Sequence, residues 1–572
     1  MNGKNLVGIK NTGIWMTMKP YYIIFSYLII LILLVSCGQN PGLGEPTPAQ
    51  EISPPTSKAT DLEPGWWNET VFYEIFVRSY KDSDGDGIGD FNGITEMLDY
   101  LNDGDPSTSD DLGITGIWLM PSTESPSYHG YDVVDYYKVE QDYGTKEDFL
   151  RLVEEAHKRG IQVIVDLVLN HTSTENPWFE ASDSGDPEYR DWYIWSKDNP
   201  GYLGPWGEQV WYQGQEGYYY AVFWSGMPDL NLTNPEVTDE IYDITSYWLT
   251  EMNVDGFRLD AIRHFVENGA AQENTADTHL WLQGFHDYYK SIDQEVFTVG
   301  EAWTDTAKVV EYIGDEVDIA FEFDLASSFM TAAYGPIASA ATNQLKITLE
   351  NYPENQYGTF LTNHDQNRVM SVLGGDAQKA SLAAVMMLTS PGVPFIYYGE
   401  EIGMTGKKPD EDIRLPMQWR GDEPGAGFTS GTPWRSIAAN YPEANVLTES
   451  SQPDSLLNLY RSLIHLRNDH AALQSGKTLI LDAGTQRMYA ILRYDETEGF
   501  LVLVNVHPRD LTSKLYQLST TNWPLPSDYQ VSVVYGLEDP ELPQITPEGV
   551  LENYLPYPAI PAESFVILHF HP

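Results

Sequence analysis

From residue 71 onward the chain alternates short apolar, β-rich runs with amphipathic stretches. The runs are VFYEIFVRSY (71–80), ITGIWLMPS (114–122), IQVIVDLVLNH (161–171), VDGFRLDAIR (254–263), VFTVGEAW (296–303), IAFEFDL (319–325), GTFLTNHDQ (358–366) and VPFIYYGEE (393–401). Between them, segments such as KEDFLRLVEEAHKRG (146–160) and PEVTDEIYDITSYWLTEM (235–252) space their apolar residues as helices do. Buried runs joined by helical crossovers predict a parallel sheet, and eight of them is the number that closes a (β/α)8 TIM barrel, an α/β fold. An open doubly wound sheet is the alternative on pattern alone. The polar residues favour the barrel: Asn170, His171, Arg258, Asp260, Glu301, His364 and Asp365 all fall at the C-terminal ends of runs, which a barrel gathers into one functional ring.

Two stretches break the alternation. Residues 172–231 are too long for an ordinary loop and are dense in Trp, Tyr and Gly, so a small domain inserted after the third strand is expected, dividing the barrel into 66–171 and 232–475. After a helical stretch at 456–473, the pattern turns all-β (RMYAILRY, GFLVLVNVH, YQVSVVYG, ESFVILHF). This predicts a C-terminal antiparallel β-sandwich over 476–572. At the other end, residues 1–37 hold three Lys and no acidic residue, with an almost continuously apolar stretch from Tyr21 to Val35. That is the layout of an export signal, beginning at Met1 or at Met18. Leu34-Val35-Ser36-Cys37 resembles the lipobox of bacterial lipoproteins, in which Cys becomes the lipidated N-terminus. The apolar stretch is shorter than the roughly 20 residues a spanning helix needs. Residues 38–65, rich in Pro, Gly, Ser and Thr, read as an extended tether. The expected location is therefore the outer face of a bacterial membrane, held by lipid on Cys37, or the medium after release; the expected state is a monomer.

Charge narrows the partners. Of 572 residues, 84 are acidic and 32 basic, a formal charge of −52, which becomes −55 once residues 1–37 are removed. A surface so acidic does not neutralise phosphates and is repelled by anionic lipid, which excludes nucleic acid and direct membrane binding. It also suits a medium of high salt, where screening relieves self-repulsion. Cys37 is the single cysteine, so no intramolecular disulfide forms.

Asp260, Glu301 and Asp365 each close a β-run, with Arg258, Trp303 and His364 close in sequence. One carboxylate at a strand end is ordinarily a cap or an ion pair; three on one barrel rim beside a Trp/Tyr-rich insertion suit the cleavage of a glycosidic bond, which needs one ionised and one protonated carboxyl. The motifs VDGFRLDAIRH, VGEAW, FLTNHDQNR and DLVLNH resemble, in order, four motif regions of the α-amylase family, glycoside hydrolase family 13. MPDLN (227–231) resembles its fifth region, in the form found in an intermediate group between oligo-1,6-glucosidases and neopullulanases. SPSYHGYDVVDYY (125–137) and PFIYYGEE resemble further rim motifs.

The resemblance implies a retaining mechanism with Asp260 as nucleophile, Glu301 as general acid/base and Asp365 as the carboxylate that holds sugar hydroxyls. Arg258 would orient Asp260 and favour its charged form. His171 and His364 would donate hydrogen bonds to the sugar, Tyr131 would stack on it beside His129 and Asp132, and Asp410 with Arg414 would contact the next sugar. Burial and neighbouring negative charge are expected to raise the pKa of Glu301. Ala261 after the nucleophile matches α-1,4-specific members, and Asp132 matches exo-acting α-glucosidases. The expected activity is endo-hydrolysis of α-1,4-linked glucans. An exo-acting, cyclomaltodextrinase-like or transglycosylating enzyme of the same family is the alternative, and a non-catalytic glycan-binding lipoprotein or transporter subunit a more remote one.

Calcium is the expected cofactor. Asp82-Ser-Asp84-Gly-Asp86-Gly-Ile88-Gly-Asp90 alternates carboxylates as a short loop does around a hard cation. Gly93 stands where an EF-hand would place its twelfth-position Glu. The loop resembles the one after the first strand in many family members, implying ligation by Asp82, Asp84, Asp86 and Asp90 side chains and the Ile88 carbonyl. Asn170, Asp229 and His264 match three ligands of a second family calcium between barrel and inserted domain.

Overall fold

The computed structural model describes residues 65–572; the export signal, Cys37 and the tether up to residue 64 lie outside the described residues. Eight parallel strands close a barrel: β1 (Phe72–Ile75), β2 (Gly116–Leu119), β3 (Gln162–Leu167), β4 (Gly256–Leu259), β5 (Phe297–Gly300), β6 (Ile319–Phe321), β7 (Tyr357–Thr359) and β8 (Val393–Tyr397). Each pairs with its neighbour in sequence, and β1 closes on β8 through Phe72 opposite Phe395. Every apolar run of the sequence overlaps one strand, and only β7 starts outside its run, one residue early at Tyr357. The strands are shorter than the runs because the chain leaves the ladder where polar residues begin; Val77–Tyr80, for instance, is already helical.

Side chains alternate across a strand, and here that alternation sorts chemistry. The inward positions Phe72, Trp118, Ile164, Phe297, Val299, Ile319, Phe321 and Phe395 pack into one buried cluster that plugs the barrel. Phe72 stacks on Phe395 with ring centroids 4.7 Å apart. Gly116 leaves room for this layer, since a Cβ there would stand 2.6 Å from the Phe72 ring. The next positions of the same phase are polar: Glu74 follows Phe72, Asp166 follows Ile164 and Glu301 follows Val299. The plug therefore forms an apolar floor beneath a polar mouth.

Helices cover the outside. Helix α1 (Lys146–Lys158) starts at a reciprocal cap between Thr145 and Asp148, and α2 (Pro235–Thr250) at Asn234, whose side chain accepts from the Glu236 N–H. Helix α3 (Ala276–Ile292) precedes β5, and α4 (Leu456–Asp469) is the last long helix of the barrel. Residues 172–231 form the expected insertion, with helix Pro177–Asp183 and a three-stranded sheet centred on Gly217–Tyr220.

The C-terminal domain is an antiparallel five-stranded sheet, in the order β9 (Lys477–Ile480), β10 (Met488–Tyr494), β11 (Gly499–Asn505), β13 (Ser564–His571), β12 (Gln530–Tyr535). Ile491, Phe500, Val502 and Ile567 face the barrel, and Ala490, Leu501, Leu503 and Leu568 face a separate core closed by two short ladders. No helix among the described residues is long and apolar enough to cross a membrane.

Candidate active site

At the C-terminal mouth of the barrel one guanidinium gathers three carboxylates. Arg258 lies on β4 with Asp166 beside it on β3 and Val299 beside it on β5, so its side chain rises from the centre of the plug. Its Nη1 donates to Asp166 Oδ1 at 2.8 Å and to Asp260 Oδ1 at 2.6 Å, and its Nη2 donates to Glu301 Oε2. The group is fully buried, where a lone charge would be costly and a paired one is held. Directly after Asp260 the chain turns through Ala261 at φ 51°, the left-handed region, at a cost of about 1–2 kcal/mol for a residue with a Cβ. The Ile262 N–H donates to the Glu301 carbonyl at 3.1 Å, fixing the Asp260 turn against the end of β5.

A second knot surrounds Asp365. His364 Nδ1 meets Glu74 Oε1 at 2.5 Å, and its Nε2 lies 2.7 Å from the Tyr131 hydroxyl and 3.2 Å from Asp365 Oδ2. The Tyr131 hydroxyl donates to Asp166 Oδ2 at 2.9 Å, so it accepts from His364. Arg414 Nη2 donates to Asp365 Oδ1 at 2.8 Å, and its Nε to the His364 carbonyl at 3.0 Å. Burial alone would neutralise His364, but Asp365 and Glu74 outweigh it and raise its pKa to about 10, leaving an imidazolium. Burial likewise works against the Asp365 charge; His364 and Arg414 outweigh it and hold that carboxyl below the usual range.

Glu301 goes the other way. Burial, opposed by Arg258 and reinforced by Asp260 and Asp365, raises its pKa to about 7. Asp166 is raised to about 6, by burial first. The mouth therefore holds a carboxyl that carries a proton near neutrality beside the ionised Asp365, a division of labour suited to acid–base chemistry.

The other expected sugar contacts are unequally placed. His171 lines the cavity; burial keeps it neutral, and its Nε2 has no hydrogen-bond partner among the described residues. His129 lines it too, with Nδ1 accepting from the Tyr131 N–H at 3.1 Å. Asp410 forms an ion pair with Lys408 at the rim. Asp132 lies beside His129, with Oδ1 3.8 Å from His129 Nδ1, and that oxygen accepts from Ser125 Oγ at 2.7 Å and from Ser127 Oγ.

The cavity itself measures about 630 Å³ and is lined by Asp260, Glu301, Asp365, Tyr131, Trp206, Trp224 and Trp303. These tryptophans are 57, 51 and 44% exposed, unusual for the largest aromatic residue. Trp206 and Trp224 come from the insertion, and sequence reading singled out neither. It also missed Asp166, Glu74 and Lys408. For the first two a signal existed, since an acid in phase with inward apolar residues cannot face solvent.

Two regions have the donors for a cation. Carboxylate oxygens of Asp82, Asp84 and Asp86 lie within 4.8 Å of one another. Asp90, at the end of the same loop, caps the helix Phe91–Glu96, accepting from Gly93 N at 2.7 Å and from Ser83 N and Oγ, each at 2.8 Å. Near the insertion, Asn170 Nδ2 donates to Asp229 Oδ2 at 3.0 Å, and burial together with Glu267 raises the Asp229 pKa strongly. The His264 ring is committed elsewhere, with Nδ1 on the Gln272 carbonyl and Nε2 accepting from Arg263 Nε, so its carbonyl oxygen is the atom free to meet a cation.

A proton-bearing carboxyl and its companion acids at a barrel mouth, flanked by exposed tryptophans, define an enzyme of the glycoside hydrolase type. The α-amylase catalytic-domain family model matches residues 74–476. The chain belongs to the α-amylase family, glycoside hydrolase family 13. It is 40% identical to alpha-amylase 3 of Dictyoglomus thermophilum over 449 residues, covering 77% of this chain and 85% of that protein. It is 33% identical to the oligo-1,6-glucosidase of Parageobacillus thermoglucosidasius over 524 residues, 78% of this chain and 91% of the relative. The crystal structure of the H. orenii alpha-amylase superposes with a TM-score of 0.76 at 40% identity, covering 88% of this chain and 99% of that one.

Proposed function

We propose that the enzyme is an endo-acting α-amylase that hydrolyses α-1,4-glucosidic bonds in starch, glycogen and maltooligosaccharides with retention of configuration. The observation that carries this reading is that three exposed tryptophans, Trp206, Trp224 and Trp303, line the cavity that holds the three carboxylates. Sugar rings present apolar faces to such platforms, and several of them in one cavity suit a chain more than a disaccharide.

In this reading Glu301 protonates the glycosidic oxygen while Asp260, aligned by Arg258, attacks the anomeric carbon and forms a glycosyl-enzyme. The leaving sugar departs with the proton from Glu301. Glu301, now ionised, takes a proton from water, whose oxygen displaces Asp260. Asp365, kept ionised by His364 and Arg414, holds hydroxyls of the distorted ring, and His171 Nε2, unpartnered and buried, supplies a further bond. Calcium on Asp82, Asp84, Asp86, Asp90 and the Ile88 carbonyl would brace the loop after β1; a second, on Asn170, Asp229 and His264, would tie the insertion to the barrel. Lipid on Cys37 would anchor the enzyme outside the cell.

Product analysis on starch, maltotriose, pullulan and isomaltose tests the reading. Rapid loss of iodine stain at low reducing-sugar yield, with little attack on isomaltose, is expected. Slow loss of stain with glucose as the first product would replace it with an exo-acting α-glucosidase.

A further inference from the structure

We propose that His470, Glu498 and His569 form a binding site for a transition-metal dication of the zinc type, which staples the last barrel helix to the C-terminal sheet. The three come from three elements: His470 ends α4, Glu498 closes the hairpin between β10 and β11, and His569 lies on β13. Their ligand atoms converge on one point. His470 Nδ1 lies 2.8 Å and His569 Nε2 2.7 Å from the same oxygen, Glu498 Oε2, and all three atoms lie within 4.8 Å of one another.

Two imidazoles and one carboxylate are the donor set that suits zinc, with water as fourth ligand, and calcium prefers oxygen alone. The rings are held in place before any ion arrives. His569 stacks on Phe500 at 4.3 Å and 4°, and His470 meets the same ring edge-on at 4.8 Å. All three groups are half-buried, so an ion can enter. The present nitrogen–oxygen distances are those of hydrogen bonds. Metal bonds of about 2.0–2.1 Å need ligand atoms roughly 3.3 Å apart in a tetrahedron, an opening of a few tenths of an ångström. The end of α4 adds the negative end of a helix dipole, which favours a cation.

The test is calorimetric titration of chelator-treated full-length enzyme with zinc chloride, in buffer saturated with calcium. The site predicts one zinc bound, a higher melting temperature, and X-ray absorption showing two imidazole nitrogens in the first shell. The His569→Gln and His470→Gln variants should each weaken binding more than about tenfold and lose the thermal shift while keeping starch hydrolysis in zinc-free buffer. Absence of stoichiometric zinc binding would overturn the proposal. So would zinc bound equally by the wild type and the folded double variant, which would place the ion elsewhere. If the variants do not fold, the absorption spectrum of the wild type decides alone: a first shell without two imidazoles contradicts the site.

Discussion

Glu74 Oε1 and His364 Nδ1 meet at 2.5 Å across the barrel mouth, although 290 residues separate them. The first strand thus sets the charge of a ring that follows the seventh, and through that ring the environment of Asp365. Glu74→Gln keeps a hydrogen-bonding side chain but removes the charge that helps hold the His364 proton. A hydrogen bond to a charged group contributes about 1.5–3 kcal/mol, so kcat/KM should fall roughly ten- to hundredfold with the fold intact. Steady-state kinetics beside circular dichroism checks this; an unchanged kcat/KM would remove Glu74 from the machinery.

The proton on Glu301 sets the alkaline limit. With its pKa raised to about 7, chiefly by burial against the pull of Arg258, kcat/KM should decline about tenfold per unit above that pH. Glu301→Gln should abolish turnover of glucans. Substrates whose leaving group needs no protonation, such as glycosyl fluorides, should still glycosylate Asp260 with release of fluoride in that variant, which stopped-flow kinetics can follow.

Stability should move with pH in the same direction. Burial raises the Glu267 pKa from an ordinary carboxyl value of 4.5 to about 8, and Glu301 also sits above its unfolded value. A group with a raised folded pKa binds more protons folded than unfolded, so its stabilisation is complete below about pH 4.5 and is lost as pH rises towards 8. The melting temperature of chelated protein should therefore decline across that window from these groups. Calcium at Asn170 and Asp229 should flatten the decline; identical curves with and without calcium would remove the second site.

The aromatic row should matter by chain length. Trp206→Ala and Trp224→Ala each remove stacking of about 0.5–1.5 kcal/mol, a loss of roughly two- to tenfold in kcat/KM on amylose. Maltotriose, too short to reach the outer platforms, should be hydrolysed almost as before.

The barrel was legible in the sequence because its strands are buried on both faces and read as continuous apolar runs, and because Asp260, Glu301 and Asp365 stand where those runs stop. The inner connections were not. The family resemblance assigned Arg258 to Asp260, but its bonds to Asp166 and Glu301 depend on registers between β3, β4 and β5 that no single run contains. Asp90 serves two neighbours that alternation alone does not show, capping the helix after it through Oδ1 and taking the Ser83 N–H on Oδ2. Trp206 and Trp224 lie in an insertion without periodic pattern, where side-chain direction is set by tertiary contact. His470, Glu498 and His569 meet only because β13 returns to pair with β11.

The central claim is that Asp260 attacks the sugar. Its most direct test is mechanism-based trapping with a 5-fluoro-α-glucosyl fluoride followed by peptide mass spectrometry. The account predicts one added fluoroglucosyl group on the peptide containing Asp260, with none on the Asp260→Asn variant. An adduct on another residue, or inversion at the anomeric carbon of the first product, would contradict it.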